Sequence, residues 1–198
     1  MNKKLLFNLP YFLFLIPIHL YSQENKPVNS ADTIIHYQDE KHFKSVRQLT
    51  FGGDNAEAYF SFNNKMISFQ VTNPSWNVSC DQIYFSSLEN FLPVKVSTGK
   101  GRTTCSYFLP GDSLILYAST HESSVDCPLK PAPREDHKYV WPVYSSFDIY
   151  VSDLKGKIKK KLTDLPGYDA EATLSPKGDK IVFTSLPSIF IVYKSRSP

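Results

Sequence analysis

The sequence predicts an all-β fold in which four-stranded antiparallel sheets recur along the chain. Three observations lead to this. One short pattern occurs three times, its apolar residues alternate with a period of two, and turn-forming residues separate the alternating runs. Aromatic residues make up 14% of the 198, with 12 Tyr and 14 Phe. That load suits half-buried strands and argues against disorder.

The repeat is read by overlay. Residues Glu57 to Phe69 match Glu171 to Phe183 without a gap, and a third copy runs from Cys105 to Tyr117. Glu57 and Cys105 stand 48 positions apart, and Cys105 and Glu171 stand 66 apart. Each copy reads as a hairpin. Ala58 and Phe60, Ser106 and Phe108, or Ala172 and Leu174 share one face of the first strand. Turns follow at Asn63–Asn64, Gly111–Asp112 and Lys177–Gly178, residue types that tolerate the required backbone angles. The return strands alternate again through Ile67, Phe69 and Val71, then Ile115 and Tyr117, then Ile181 and Phe183.

A third strand follows at Gln82–Ser86 and, 66 positions on, at Asp148–Ser152. A fourth follows at Val94–Ser97 and, at the same offset, Lys160–Thr163. The 66-residue spacing therefore exceeds the 48-residue one by an 18-residue insertion between the second and third strands of the middle unit. Four antiparallel strands in roughly 40–50 residues are the mark of a β-propeller blade. The expected architecture is a partial β-propeller of about two and a half four-stranded antiparallel blades.

The segments Leu49–Thr50–Phe51–Gly52–Gly53–Asp54, Ser175 to Phe183, Asp148–Ile149–Tyr150–Val151 and Lys161–Leu162–Thr163 together resemble the TolB-like, WD-type β-propeller repeat. The resemblance runs from about residue 47 to about 185. It implies export to the periplasm and work by protein–protein contact, and similar repeats also precede hydrolase domains in some exported peptidases. The chain departs from the pattern at Phe62 and Asn64, which replace the usual Pro and Gly. It departs further after Ser185. Ile189 follows Phe183 by 6 positions, whereas Ile83 follows Phe69 by 14. A propeller needs about four to eight blades to close, so a truncated or frame-disrupted product is expected.

The domain reading is a signal peptide at 1–22, a polar lead-in at 23–46 and the repeat region at 47–198. Its blades fall at about 47–98, 99–163 and, incomplete, 164–198. Lys3 and Lys4 precede an apolar stretch from Leu5 to Leu20 that Asn8, Pro10, Pro17 and His19 interrupt, which favours a cleaved leader over a membrane span. The expected location is periplasmic or secreted, with no stable membrane insertion after cleavage. The formal charge is +3, and without residues 1–22 the chain carries 20 basic against 19 acidic residues. That balance predicts no nucleic-acid partner. The lysine run 157–161 reads as a solvated strand edge that blocks edge-to-edge pairing.

An oxidising compartment permits one disulfide among Cys80, Cys105 and Cys127, with the pairing open and buried thiols an equal alternative. No Cys-x-x-Cys or His-x-x-x-His spacing occurs, so neither a metal nor a cofactor is expected. Gly111–Asp112–Ser113–Leu114 spells the nucleophile block of the Gly-Asp-Ser-Leu esterases. It sits in a hairpin turn with two counterparts, and no Asp-x-x-His follows to supply a base. The turn reading is preferred. Glu57 and Glu171 occupy equivalent repeat positions, which favours a repeated structural role over acid–base chemistry. No catalytic residue is expected.

Antiparallel order places the insertion on the same face as the loops 52–55, 99–104 and 166–169. Trp and Tyr are favoured contact residues, and a long loop is more often functional than filler. The candidate binding face is therefore Asp54, Arg102, Tyr139, Trp141, Tyr168 and Asp169. The expected function is an exported propeller that binds an envelope protein or a glycan. The alternatives are the propeller portion of an exported serine hydrolase or peptidase, and a non-functional remnant.

Overall fold

The structure is a computed structural model that describes residues 39–44, 46–138 and 140–188. The expected leader, most of the lead-in, Tyr139 and the apolar run from Ile189 to Tyr193 lie outside the described residues. The chain divides into two units, Met1–Gln48 and Leu49–Pro198. The described part of the first contains no strand or helix.

The second unit is all-β. Its first sheet is β1 (Asp54–Phe60), β2 (Met66–Asn73), β3 (Val78–Ser87) and β4 (Val94–Lys95), joined in chain order. The second sheet repeats that order with β5 (Thr103–Phe108), β6 (Leu114–Ser119), β7 (Asp148–Asp153) and β8 (Ile158–Lys161). The third holds β9 (Gly167–Leu174) and β10 (Ile181–Pro187) among the described residues. Every pairing is antiparallel. A 3-10 turn, Pro74–Trp76, links β2 to β3, with Asn73 accepting the Ser75 N–H at 3.0 Å as its cap.

The three hairpin turns share one device. Asn64, Asp112 and Gly178 occupy the same repeat position with φ of 57°, 54° and 69°. The Asp112 carboxylate accepts the backbone N–H groups of Phe62 at 2.7 Å and Asn63 at 3.0 Å, so the second turn caps the first. In the third turn a Cβ on residue 178 would lie 2.2 Å from Cγ of Pro110, in the second turn. Only glycine fits there. The Gly-Asp-Ser-Leu segment is thus a turn whose aspartate is committed to backbone.

Alternation then decides the packing. Ile115 and Tyr117 face the first sheet and join Ile83, Val96, Phe108 and Tyr150 in one buried cluster. Phe85 meets Phe108 edge-on there, with ring centroids 6.4 Å apart. The intervening Leu116 faces the other way and packs with Ile149, Val151 and Ala172 towards the third sheet. Both faces of the middle sheet are therefore buried. On β10, Val182 stays 66% exposed, since no further described strand lies against it. The lysine run forms β8, an edge strand whose three lysines are exposed, as edge protection requires.

Replacing Asp112 with alanine orphans two N–H groups of the neighbouring turn. Urea unfolding should show a loss of about 1–3 kcal/mol with an unchanged m-value. A loss within ~0.5 kcal/mol, the range of ordinary surface substitutions, would show that the cap between turns is dispensable.

Candidate functional site

The site begins with a backbone irregularity written three times. Glu57, Cys105 and Glu171 are equivalent in the repeat and have φ of 51°, 48° and 56°. Positive φ is uncommon for such residues and costs roughly 1–2 kcal/mol each. Each lies where the first strand of its sheet breaks register with the second. These are β-bulges, which bend a strand and redirect a side chain. Here all three side chains are turned into one cavity. The first strands sit side by side around it, as Tyr59 of β1 stacks on Tyr107 of β5 at 4.1 Å. Gln70 of β2 supports the middle bulge. Its Oε1 accepts from the Thr104 hydroxyl at 2.9 Å and from the Cys105 N–H at 3.2 Å.

The insertion lines one side of the cavity. Leaving β6, the chain turns at Thr120, whose carbonyl accepts the Ser123 N–H at 3.0 Å. Gly101 N–H then holds the Val125 carbonyl at 2.9 Å. Gly101 must be glycine, because a Cβ would meet Thr120 Oγ1 at 2.6 Å. Cys127 forms a disulfide with Cys80 of β3, which leaves Cys105 as the unpaired cysteine. Closing a loop of 47 residues restricts the unfolded chain by about 4 kcal/mol. Beyond this pin, residues 128–138 and 140–142 form a proline-rich strap, with Pro128, Pro131, Pro133 and Pro142. The Tyr144 hydroxyl donates to the Leu129 carbonyl at 2.9 Å, and the far end is held where Arg102 lies 5.8 Å from the Trp141 ring centroid.

The cavity, a cleft still open to solvent, has a volume of about 820 Å³. One wall carries Asp54, Glu57 and Glu171 from the first strands, and the strap contributes Lys130, Arg134, Lys138 and Trp141. Arg102 lines the same cavity. Its side chain is 8% exposed, and its nearest carboxylate, Asp81 Oδ2, is 3.6 Å from Nη1. Its Nε is buried with no hydrogen-bond partner. Burial, assisted by the Glu57 and Glu171 charges, pushes the Cys105 thiol up to about 11. The Tyr59 hydroxyl donates to Glu57 at 2.6 Å, and that bond holds the phenol well above its ordinary value.

No family model matches the sequence, and no curated protein does. Solved structures do. A TolB-type protein of Agrobacterium tumefaciens superposes with a TM-score of 0.53 at 17% identity, over 72% of this chain and 42% of that one. TolB of Acinetobacter baumannii superposes with a TM-score of 0.52 at 21% identity, over 72% of this chain and 30% of that one. The fold is that of a TolB-like β-propeller. The chain spans less than half the length of either structure.

On this TolB-like scaffold, Asp54, Arg102 and Trp141 line the strapped cavity together. Asp169 does not line it, whereas Tyr168 reaches its edge, where its hydroxyl donates to Glu171 at 3.5 Å and is hydrogen-bonded to the Trp141 indole. Both lie within β9, 2% and 5% exposed. Tyr168 packs against Phe147 with ring centroids 5.7 Å apart, and burial pushes its phenol up to about 12. Tyr139 lies outside the described residues. The cavity also uses Glu57, Gln70, Asp81, Glu171 and the strap cations, none of which the candidate face included. The signal for Glu57 and Glu171 was present, since both begin a repeat copy. Asp81 and Gln70 reach the site from β3 and β2 through packing that no local pattern records.

Two outcomes are expected. Iodoacetamide labelling of Cys105, followed by mass spectrometry, should be slow at neutral pH and should rise with a midpoint near pH 11, because the thiolate is the reactive form. A midpoint near the ordinary thiol value would show that burial does not control the group. The paired variant with Cys80→Ala and Cys127→Ala should lose about 4 kcal/mol in urea unfolding. Unchanged stability would remove the bridge as the strap's anchor.

Proposed function

We propose that this chain is an exported binding module that takes part of an envelope protein or a glycan into the cavity beneath the strap. The supporting observation is the strap itself. A long connection is tied down at Cys127 and at Trp141, and it covers an open volume instead of packing onto its own sheet. Ligand sites are typically preformed clefts of about 300–1,000 Å³ with a few placed polar groups, and the cavity falls in that range at about 820 Å³. Indole and guanidinium are side chains that dominate binding energy in many interfaces, and Trp141 and Arg102 meet here.

Binding without catalysis fits the same groups. A thiol pushed up to about 11 is protonated at neutral pH, which suits a wall better than a nucleophile. Asp112, beside Ser113, is occupied by the Phe62 and Asn63 N–H groups. A periplasmic or secreted location agrees with the paired cysteines, since such bridges persist where conditions are oxidising.

The test is capture from native envelope extract by the immobilised chain. Trp141→Ala should reduce the retained material at least tenfold while the far-ultraviolet circular dichroism stays unchanged. Equal capture by the variant and the parent would remove the cavity as the binding site.

A further inference from the structure

We infer that the cavity takes an acidic sugar, with a single uronate carboxylate placed on Arg102 and hydroxyl groups facing the first strands. The inference rests on the binding reading above and names its ligand.

Arg102 is the starting point. A guanidinium offers five N–H donors in a fixed fork. Here the side chain is 8% exposed, and its one ion pair spans 3.6 Å, well beyond the 2.7–2.9 Å usual for a charge-assisted bond. Nε is buried with no partner at all. Asp81 cannot turn fully to Arg102, because its Oδ1 already accepts the Thr72 hydroxyl at 2.7 Å. Nε itself is closed off, so a ligand would meet Arg102 through the part of the guanidinium that lines the cavity, where the long pair with Asp81 leaves room for a second acceptor. A carboxylate matches the fork of an arginine better than any neutral acceptor.

The surroundings choose the rest of the ligand. The strap side adds cations from Lys130, Arg134 and Lys138. Asp136 balances part of that charge, 2.8 Å from Arg134 and 3.9 Å from Lys138. The first strands bring the Asp54, Glu57 and Glu171 carboxylates to the same cavity, with one Glu57 oxygen accepting from Tyr59 at 2.6 Å and one Glu171 oxygen from Thr184 at 2.8 Å. A second negative charge on the ligand would be repelled by them, whereas hydroxyl groups donate to the carboxylate oxygens that these bonds leave free. The partner chemistry is therefore one carboxylate at one end and several hydroxyls at the other. The Trp141 indole lines the same space, and an aromatic face packs well on the C–H face of a pyranose ring. An acidic peptide satisfies Arg102 but brings few donors for the carboxylate wall.

The experiment is calorimetric titration of the full chain with cellobiuronate, a disaccharide bearing one carboxylate, and with cellobiose, its neutral counterpart. Acetyl-Ala-Glu-Ala-amide serves as the peptide carrying the same charge. Cellobiuronate should bind at least tenfold more tightly than either of the others, and Arg102→Lys should remove most of that preference by abolishing the fork. The comparison of the three probes on the unmodified chain stands whether or not the variant folds. Equal affinity for cellobiose would overturn the role of the carboxylate. Equal or tighter binding of the peptide would overturn the sugar. No binding by any probe would overturn the inference, whereas the binding reading itself is decided by envelope capture, which uses no sugar probe.

Discussion

The middle sheet of this protein cannot exist alone, and that constraint organises everything around it. Strict alternation sends Ile115 and Tyr117 to one side of β6 and Leu116 to the other, so both faces are apolar and both must be covered. A neighbouring sheet on each side is the solution a period of two allows. Once the sheets stack this way, their first strands come side by side, as the Tyr59–Tyr107 stack shows. The cavity is the space those strands leave. Burial thus fixes the site before any functional group is placed in it.

The same stacking accounts for contacts that look local but are not. Asp112 caps a turn 50 residues away, and Gly178 is glycine because Pro110 of the preceding turn touches it. Gln70 stabilises a bulge in the next sheet rather than in its own. Each sheet therefore completes the backbone of its neighbour. The three bulges keep residues in an unfavourable region of backbone space, and what that geometry achieves is common to all three: a side chain redirected into the shared cavity. Strain of this kind persists where the surrounding structure over-determines it.

Over this frame the insertion adds a part that the repeat does not contain. The Cys80–Cys127 bridge ties it to the first sheet although it departs from the second, so it spans the boundary between them. The strap brings cations to a wall of carboxylates and sets an indole beside Arg102. The strap thus adds positive charge to a cavity to which the first strands contribute charge only as carboxylates. Residues 128–138 and 140–142 could supply it because four prolines limit the conformations the strap must lose on ordering.

The all-β class, the three hairpins, the four-strand order and the place of the insertion were all legible in the sequence. Each depends on neighbours in the chain, where alternation and turn chemistry speak directly. Arg102, Asp54 and Trp141 were within reach for a related reason: antiparallel order dictates which loops emerge together. Tyr168 stood beside such a loop in sequence, and although β9 packs its ring against Phe147, its hydroxyl still reaches Glu171 at the edge of the cavity. The disulfide partner, the meeting of three bulges and the unpartnered Nε of Arg102 belonged to tertiary structure alone. They depend on distances between sheets, and a pattern with a period of two fixes which face a residue takes but not what waits across the gap.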